Sequence, residues 1–143
     1  MKAESSDGDF ETQCFFQPLP TVIGKHGRER GGNMLGIDKL EENAVILLGS
    51  LAVNGVDQEA LGRAKMLAWN NDLERYTRDA GTYVPYRYLN YADASQDVVA
   101  GYGTENVLRM QAVSHAYDPD GVFQKRIPGG FKVPENGMNA DSS

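Results

Sequence analysis

The stretch Asn43–Asn54 (NAVILLGSLAVN), followed at once by Gly55, Val56 and Asp57, decides the fold. It is apolar without alternation, the pattern of a strand covered on both faces rather than of a half-buried one. Asp57 then stands at an N-cap position, where its carboxylate can accept from the first free N–H groups of a helix predicted over Gln58–Ala80. Along that helix Met66, Trp69, Leu73, Tyr76 and Ala80 recur at steps of three and four and predict one apolar stripe. Gly81 follows as the stop, because a left-handed residue after a helix is best supplied by glycine.

Upstream, Thr12–Ile23 (TQCFFQPLPTVI) reads as a strand interrupted by Pro18 and Pro20, hence an edge strand or one running into extended chain. Gly24–Gly32 (GKHGRERGG) reads as a glycine-punctuated loop and Asn33–Ile37 as a short strand. Downstream, Tyr83–Tyr91 (YVPYRYLNY) is aromatic and predicted extended, with Pro85 setting φ. Thr104 is predicted to cap a second helix through Tyr117 that buries Val107, Leu108 and Ala112, and Pro119 and Gly121 end it. The order strand, strand, helix, strand, helix predicts an α+β fold: a small, mainly antiparallel sheet covered by two principal helices. Residues 11–133 are expected to form one domain, and the polar ends 1–10 and 134–143 to be disordered tails.

With 143 residues, 41% hydrophobic and 24% charged, the chain has the balance of a globular domain with a core of useful size. A formal net charge of −6 argues against nucleic acid or an anionic membrane as partner, since both are recognised through clustered positive charge. The single cysteine, Cys14, excludes an intramolecular disulfide. Ala44–Leu48 is the longest strongly apolar run, far too short to span a bilayer, and the acidic N-terminus carries no secretory signal. The default expectation is an intracellular protein, or a secreted one if an upstream signal has been lost.

The aromatic segment carries the most chemistry. In an extended strand Tyr86, Tyr88 and Asn90 point to one face while Arg87, Leu89 and Tyr91 point to the other. Phenols and a carboxamide at a strand end can bind a polar heteroaromatic ring by stacking and hydrogen bonding. The alternative is a half-exposed strand whose tyrosines pack under the long helix. Other features read structurally. Tyr102-Gly103 is a turn leading into the last helix. In Tyr117–Gln124, Asp118 caps a turn, Gly121 takes positive φ and Phe123 plugs the core. Lys25–Gly32 lacks the pattern of a phosphate-binding loop. His26 and His115 have no partners at metal-ligand spacing, and His115 complements a helix C-terminus. Cys14 reads as a small core residue. No Gly-x-Ser-x-Gly elbow is present, which argues against a hydrolase.

Tyr88-Leu89-Asn90-Tyr91-Ala92-Asp93, Gln96, Tyr102-Gly103, Tyr117–Gln124 and Pro128-Gly129-Gly130-Phe131-Lys132 together resemble the C-terminal end of berberine-bridge-type FAD-linked oxidoreductases, in their fungal branch. Gly31-Gly32-Asn33-Met34-Leu35-Gly36 is similar to a stretch of their substrate-side domain, and the resemblance runs from about Phe16 to Val133. It implies a partial substrate domain in which Asn90 contacts the flavin or its ribityl chain, Tyr88 lines the flavin side, and Tyr91 reaches substrate and serves as catalytic base. The N-terminal FAD-binding fold of such enzymes has no counterpart in the sequence. The chain is therefore expected to be the C-terminal portion of a FAD-dependent oxidoreductase acting on a small organic, secondary-metabolite substrate. On that reading it is inactive alone, does not hold FAD stably by itself, and needs a partner chain that supplies the FAD domain. Two alternatives stand beside it. One is a cofactor-free cyclase or isomerase with a pocket of Tyr88, Asn90, Tyr91 and Trp69. The other is a non-catalytic module whose former domain interface makes a homodimer.

Overall fold

The computed structural model describes residues 10–135, which gather into two compact units. Five principal elements follow in order: β1 (Phe10–Leu19), α1 (Thr21–Glu29), β2 (Ala44–Val53), α2 (Val56–Asp79) and α3 (Thr104–Tyr117). β1 and β2 pair as a two-stranded antiparallel sheet, so the α+β class predicted from the element order is the class observed. The expected tails fall outside the described residues except at their inner ends. There Phe10 opens β1, the Pro134 carbonyl accepts from Gln111 Nε2, and Glu135 pairs with Lys125.

One unit comprises residues 10–17 and Leu47–Val84. Its core is the contact of α2 with one face of β2, and glycines set the approach on both elements. A Cβ on Gly49 would stand 2.5 Å from the Trp69 ring and 2.7 Å from the Met66 methyl. A Cβ on Gly62 would run into Leu51, with Phe10 and Val53 at 3.2 Å. The predicted stripe on α2 therefore packs through Met66, Trp69 and Leu73, all half-buried, but Tyr76 is 71% exposed and Ala80 is exposed. No residue of β2 is fully buried, which corrects the expectation of a strand covered on both faces. An unbroken apolar run gives no direction, and here only the face carrying Gly49, Leu51 and Val53 meets the helix.

α2 starts two residues earlier than predicted. Gly55 occupies the N-cap and Asp57 lies inside the first turn, where its charge complements the helix dipole without capping. The C-terminus is as expected. Gly81 takes φ +68°, Gly81 N donates to Arg78 O at 3.0 Å and Thr82 N to Thr77 O at 2.9 Å, the paired bonds of a Schellman motif. The Arg78 guanidinium lies 3.8 Å over the Tyr83 ring and closes the same end.

The other unit comprises Pro18–Ile46 and residues 85–135. It contains the main departures from expectation. Gly24–Gly32 was predicted as a loop, but Thr21–Glu29 is the helix α1, launched from Pro20 in extended conformation. Thr21 N is held by Asn43 Oδ1 at 3.0 Å. Gly24 is buried because α1 lies directly on the backbone of the short 3-10 turn Ile37–Lys39. Glycine's low helix propensity is overridden by that close contact, which no larger residue permits. The strand predicted at Asn33–Ile37 is absent. Asn33 Oδ1 instead accepts from Leu35 N at 2.9 Å, and Gly36 turns the chain at φ +73°. Thr104 is the first residue of α3 rather than its cap, the N-cap being Gly103 at φ +90°. Val107 is buried as predicted, but Leu108 is 53% exposed and Ala112 is exposed. Asp118 accepts from Val122 N and Phe123 N, and Gly121 takes φ +66°, so the turn chemistry holds. Phe123, however, is exposed on a π-turn, Val122–Arg126, rather than plugging a core. Cys14 is likewise exposed, on β1, where Glu11 to Pro18 all face solvent.

The glycines of α1 give a direct test of its docking. A Cβ on Gly24 would stand 2.5 Å from Ile37 O and 2.9 Å from Asp38 Cα, both backbone atoms that cannot step aside. A Cβ on Gly27 would meet only the Asn33 carboxamide, at 3.1 Å. Gly24→Ala is expected to destabilise by about 1–3 kcal/mol through overpacking. Gly27→Ala is expected to be neutral or to gain up to about 1 kcal/mol of helix propensity. Urea unfolding midpoints check this, and the reverse order would show that α1 does not rest on residues 37–38.

Candidate functional site

Tyr86, Tyr88, Asn90, Tyr91 and Tyr102 all belong to the second unit. The segment carrying the first four is not a strand. Residues 83–88 lack ladder pairing, and Leu89–Tyr91 form a 3-10 turn in which Tyr91 N donates to Tyr88 O at 2.9 Å. The prediction that Asn90 and Tyr91 point to opposite faces is therefore corrected. A three-residue turn brings position i+3 back over position i, so Tyr91 meets Tyr88 edge-to-face with ring centroids 4.7 Å apart. Asn90 Nδ2 donates to the Tyr88 hydroxyl at 2.9 Å. Three residues expected on two sides thus form one polar aromatic surface. Tyr88 is half-buried, while Asn90 and Tyr91 are exposed.

A platform built from residues 97–106 supports this surface. Gly101 packs against the Pro85 carbonyl so closely that a side chain at 101 would collide with it. Arg87 Nη1 donates to Asp97 O at 3.3 Å, and Asp97 Oδ1 in turn accepts from Ala100 N at 3.0 Å, shaping the 3-10 turn Ala100–Tyr102. Tyr102 is buried and stacks on Tyr86 with centroids 6.0 Å apart. Its carbonyl accepts from the buried Asn106 Nδ2 at 3.0 Å and faces Gly36, whose Cβ would lie 2.6 Å away. Gln96 Oε1 accepts from Asp93 N at 2.9 Å, and Asp93 Oδ1 accepts from Ser95 N, so the chain after Tyr91 is fastened locally.

Burial first, then the neighbouring Tyr102 and Tyr88 hydroxyls, push the Tyr86 phenol above its ordinary 10.0. Burial alone raises Tyr102. These two phenols stay neutral and act as packing and hydrogen-bonding groups. Outward of them, the Tyr88 hydroxyl accepts from Asn90 and retains its own proton to donate. The donor set of one carboxamide and two phenols suits the polar edge of a heteroaromatic ring or a polyol chain. A diphosphate is served by cations or by clustered backbone N–H groups, and Arg87, the cation within this segment, is directed to the Asp97 carbonyl. Trp69, the fourth residue of the alternative pocket, belongs to the other unit, where its ring packs on Gly49. Among the described residues no group of three or more His, Cys, Asp or Glu side chains could hold a metal ion. No helix among them is long and apolar enough to cross a membrane.

Sequence reading missed Tyr86, Tyr102 and Asn106 as members of one assembly. The available signals were Gly36 and Gly101, small residues wherever backbones touch, and Asn106 four positions after Tyr102 at a helix start.

The cluster predicts an alkaline signature. Two of the seven tyrosines, Tyr86 and Tyr102, ionise above the ordinary value of 10.0. The unfolded chain releases these protons first, so their contribution to stability is complete below pH 10 and is lost as pH rises through the raised values. Phenolate absorbance should show these two tyrosines titrating late, and Tyr86→Phe should make the alkaline loss of stability shallower. Concerted titration of all the tyrosines would mean the cluster is not packed.

No protein-family profile matches the chain, and no solved structure does. Among curated proteins it is similar to the FAD-dependent monooxygenase drtC of Aspergillus calidoustus, 38% identical over 93% of this chain and 25% of that protein. The FAD-dependent monooxygenase sdcF of Emericella nidulans is 36% identical over 92% of the chain and 28% of its own length. A relative with a different name, the oligopeptidase PhomG' of Diaporthe leptostromiformis, is 33% identical over 84% of the chain but only 10% of its own length. The chain spans about a quarter of the length of the two monooxygenases. Over nearly all of its length it is therefore similar to one stretch of fungal FAD-dependent enzymes.

Proposed function

We propose that this chain forms one wall of the flavin and substrate site of a berberine-bridge-type FAD-dependent oxidoreductase, acting on a small secondary-metabolite substrate. The observation that carries the reading is the Tyr88–Asn90–Tyr91 surface, a carboxamide bonded to one phenol and packed beside another, held on a segment similar to FAD-dependent monooxygenases. The fit to a flavin rests on donor chemistry. Exposed amide and phenol groups match the ring edge and ribityl hydroxyls, whereas the diphosphate calls for cations or clustered N–H groups that this surface does not offer. On this reading the chain does not hold FAD stably alone.

Bound flavin supplies the two-electron chemistry, and the protein supplies orientation and electrostatics. Asn90, fixed by the Tyr88 hydroxyl, orients the flavin side. Tyr88 lines it and donates its remaining proton. Tyr91 stands edge-on to Tyr88 and reaches substrate as the base. A phenol removes a proton near neutral pH only when a neighbouring positive charge or hydrogen-bond donor stabilises the phenolate. That activation arises in the assembled site. Tyr86 and Tyr102 hold the surface from behind. The oligopeptidase name of one relative does not transfer, because the match covers only 10% of that protein.

The visible absorption spectrum of the purified chain, before and after adding FAD and again after gel filtration, tests the proposal. The expected result is weak, reversible perturbation of the flavin band by the wild-type chain, reduced severalfold by Asn90→Ala and changed little by Tyr91→Phe. A folded wild-type chain that leaves the flavin spectrum unchanged at every concentration would sink the reading.

A further inference from the structure

β1 has a strand neighbour on one side only. β2 pairs with one of its edges, so along the other edge alternate residues turn their N–H and C=O groups outward. Natural edge strands are blunted by lysine, by proline, by brevity or by a cover. From Phe10 to Gln17 β1 has none of these: it carries no lysine or arginine, its first proline is Pro18, and Glu11 to Pro18 are all exposed. β2, by contrast, is half-buried from Ile46 to Leu51. The side chains of β1 are ordered about its midpoint. Alternation places Phe10, Thr12, Cys14 and Phe16 on the side of the sheet that faces α2, since Phe10 approaches Gly62 of that helix. Phe10 is half-buried there, but Phe16 is 72% exposed, and on the opposite face Phe15 is 49% exposed. Cys14, Phe15 and Phe16 thus form an uncovered apolar centre, while the sole charge of the strand, Glu11, lies toward one end.

We infer that the free edge of β1 is a two-fold interface, at which a second copy of this chain adds its own β1 antiparallel and joins the two sheets into one. Three features select that occupant. A row of unpaired backbone groups is complemented by another strand. The strand is also compatible with itself in charge. Antiparallel pairing along its length sets the two Glu11 carboxylates about 20 Å apart or more, beyond the screening length of about 8–10 Å. Two chains of net charge −6 therefore meet there without like-charge contact. Lastly, a two-fold axis relating two antiparallel strands passes through one residue of each, and full use of the strand puts it at Cys14 or Phe15. The apolar triplet then falls at the centre of the interface and Glu11 at its rim, the arrangement of a specific contact. The same symmetry sets both α2 helices on one face of the joined sheet, with Cys14 and Phe16 on the seam between them. This dimer does not rest on the flavin reading, since residues 10–17 contribute nothing to the Tyr88–Asn90–Tyr91 surface.

Sedimentation equilibrium of the full chain over a concentration series tests the interface, and the wild-type chain should dimerise. Phe15→Lys and Phe15→Glu each bring like charges together beside the axis, and each should weaken the dimer by roughly tenfold or more. An equimolar mixture of the two variants should recover it, because opposite charges then face each other; variants that had merely lost their fold would not be rescued by mixing. Mild oxidation gives a second reading through the single cysteine. Either the natural Cys14 chain or the Cys14→Ser, Phe15→Cys chain should link to its own copy, since whichever residue lies on the axis meets its counterpart at a separation a disulfide can span. A wild-type chain that stays monomeric throughout would overturn the interface. So would a dimer indifferent to both charges at position 15, a mixture that fails to recover, or the absence of a link in both cysteine chains.

Discussion

The packing of Tyr102 is the constraint on which the second unit depends. Its ring lies under Tyr86, and its carbonyl is bonded by Asn106 and covered by the bare Cα of Gly36. One residue thereby joins the loop before β2, the start of α3 and the aromatic segment. A buried carbonyl left unbonded costs about 1–3 kcal/mol, so the Asn106 amide is more than a local ornament. It satisfies the acceptor at the point where the cap of the Ile37–Lys39 turn meets the start of α3. The segment that carries Tyr88, Asn90 and Tyr91 is anchored to that point through the stacking of Tyr86 on Tyr102.

Much of the scaffold was legible in the chain because its signals were local. Gly81 ends α2 through two defined backbone bonds, and Asp118 with Gly121 builds a turn, each a matter of a few adjacent residues. The apolar stripe of α2 was legible through Leu73 and failed at Tyr76 and Ala80, where the face runs past what it covers. What stayed hidden was set by contacts between distant segments. α1 carries two glycines that argue against a helix, and only the backbone of residues 37 and 38 explains the first of them, Gly24. Cys14 and Phe123 looked like core residues by type, and their exposure follows from where partners lie, which type does not encode.

The candidate site shows the same division. Tyr88, Asn90 and Tyr91 were found from sequence, but their arrangement was read with the wrong period. Alternation separates neighbours onto two faces, whereas a 3-10 turn gathers them. The supporting layer was invisible for a different reason. Tyr86 and Tyr102 are far apart in the chain, and their stacking arises through Gly101 lying against Pro85.

Gly36 and Gly101 carry a consequence for how such a surface can diversify. Both sit where any side chain meets another stretch of backbone, so substitution there is closed however the outward residues vary. Asn90 and Tyr91 project from a turn whose geometry depends on backbone bonds rather than on their side chains. Substitution at those positions therefore remodels the exposed surface without first relocating the framework. The unit separates backbone contacts that tolerate no side chain from outward positions that tolerate many.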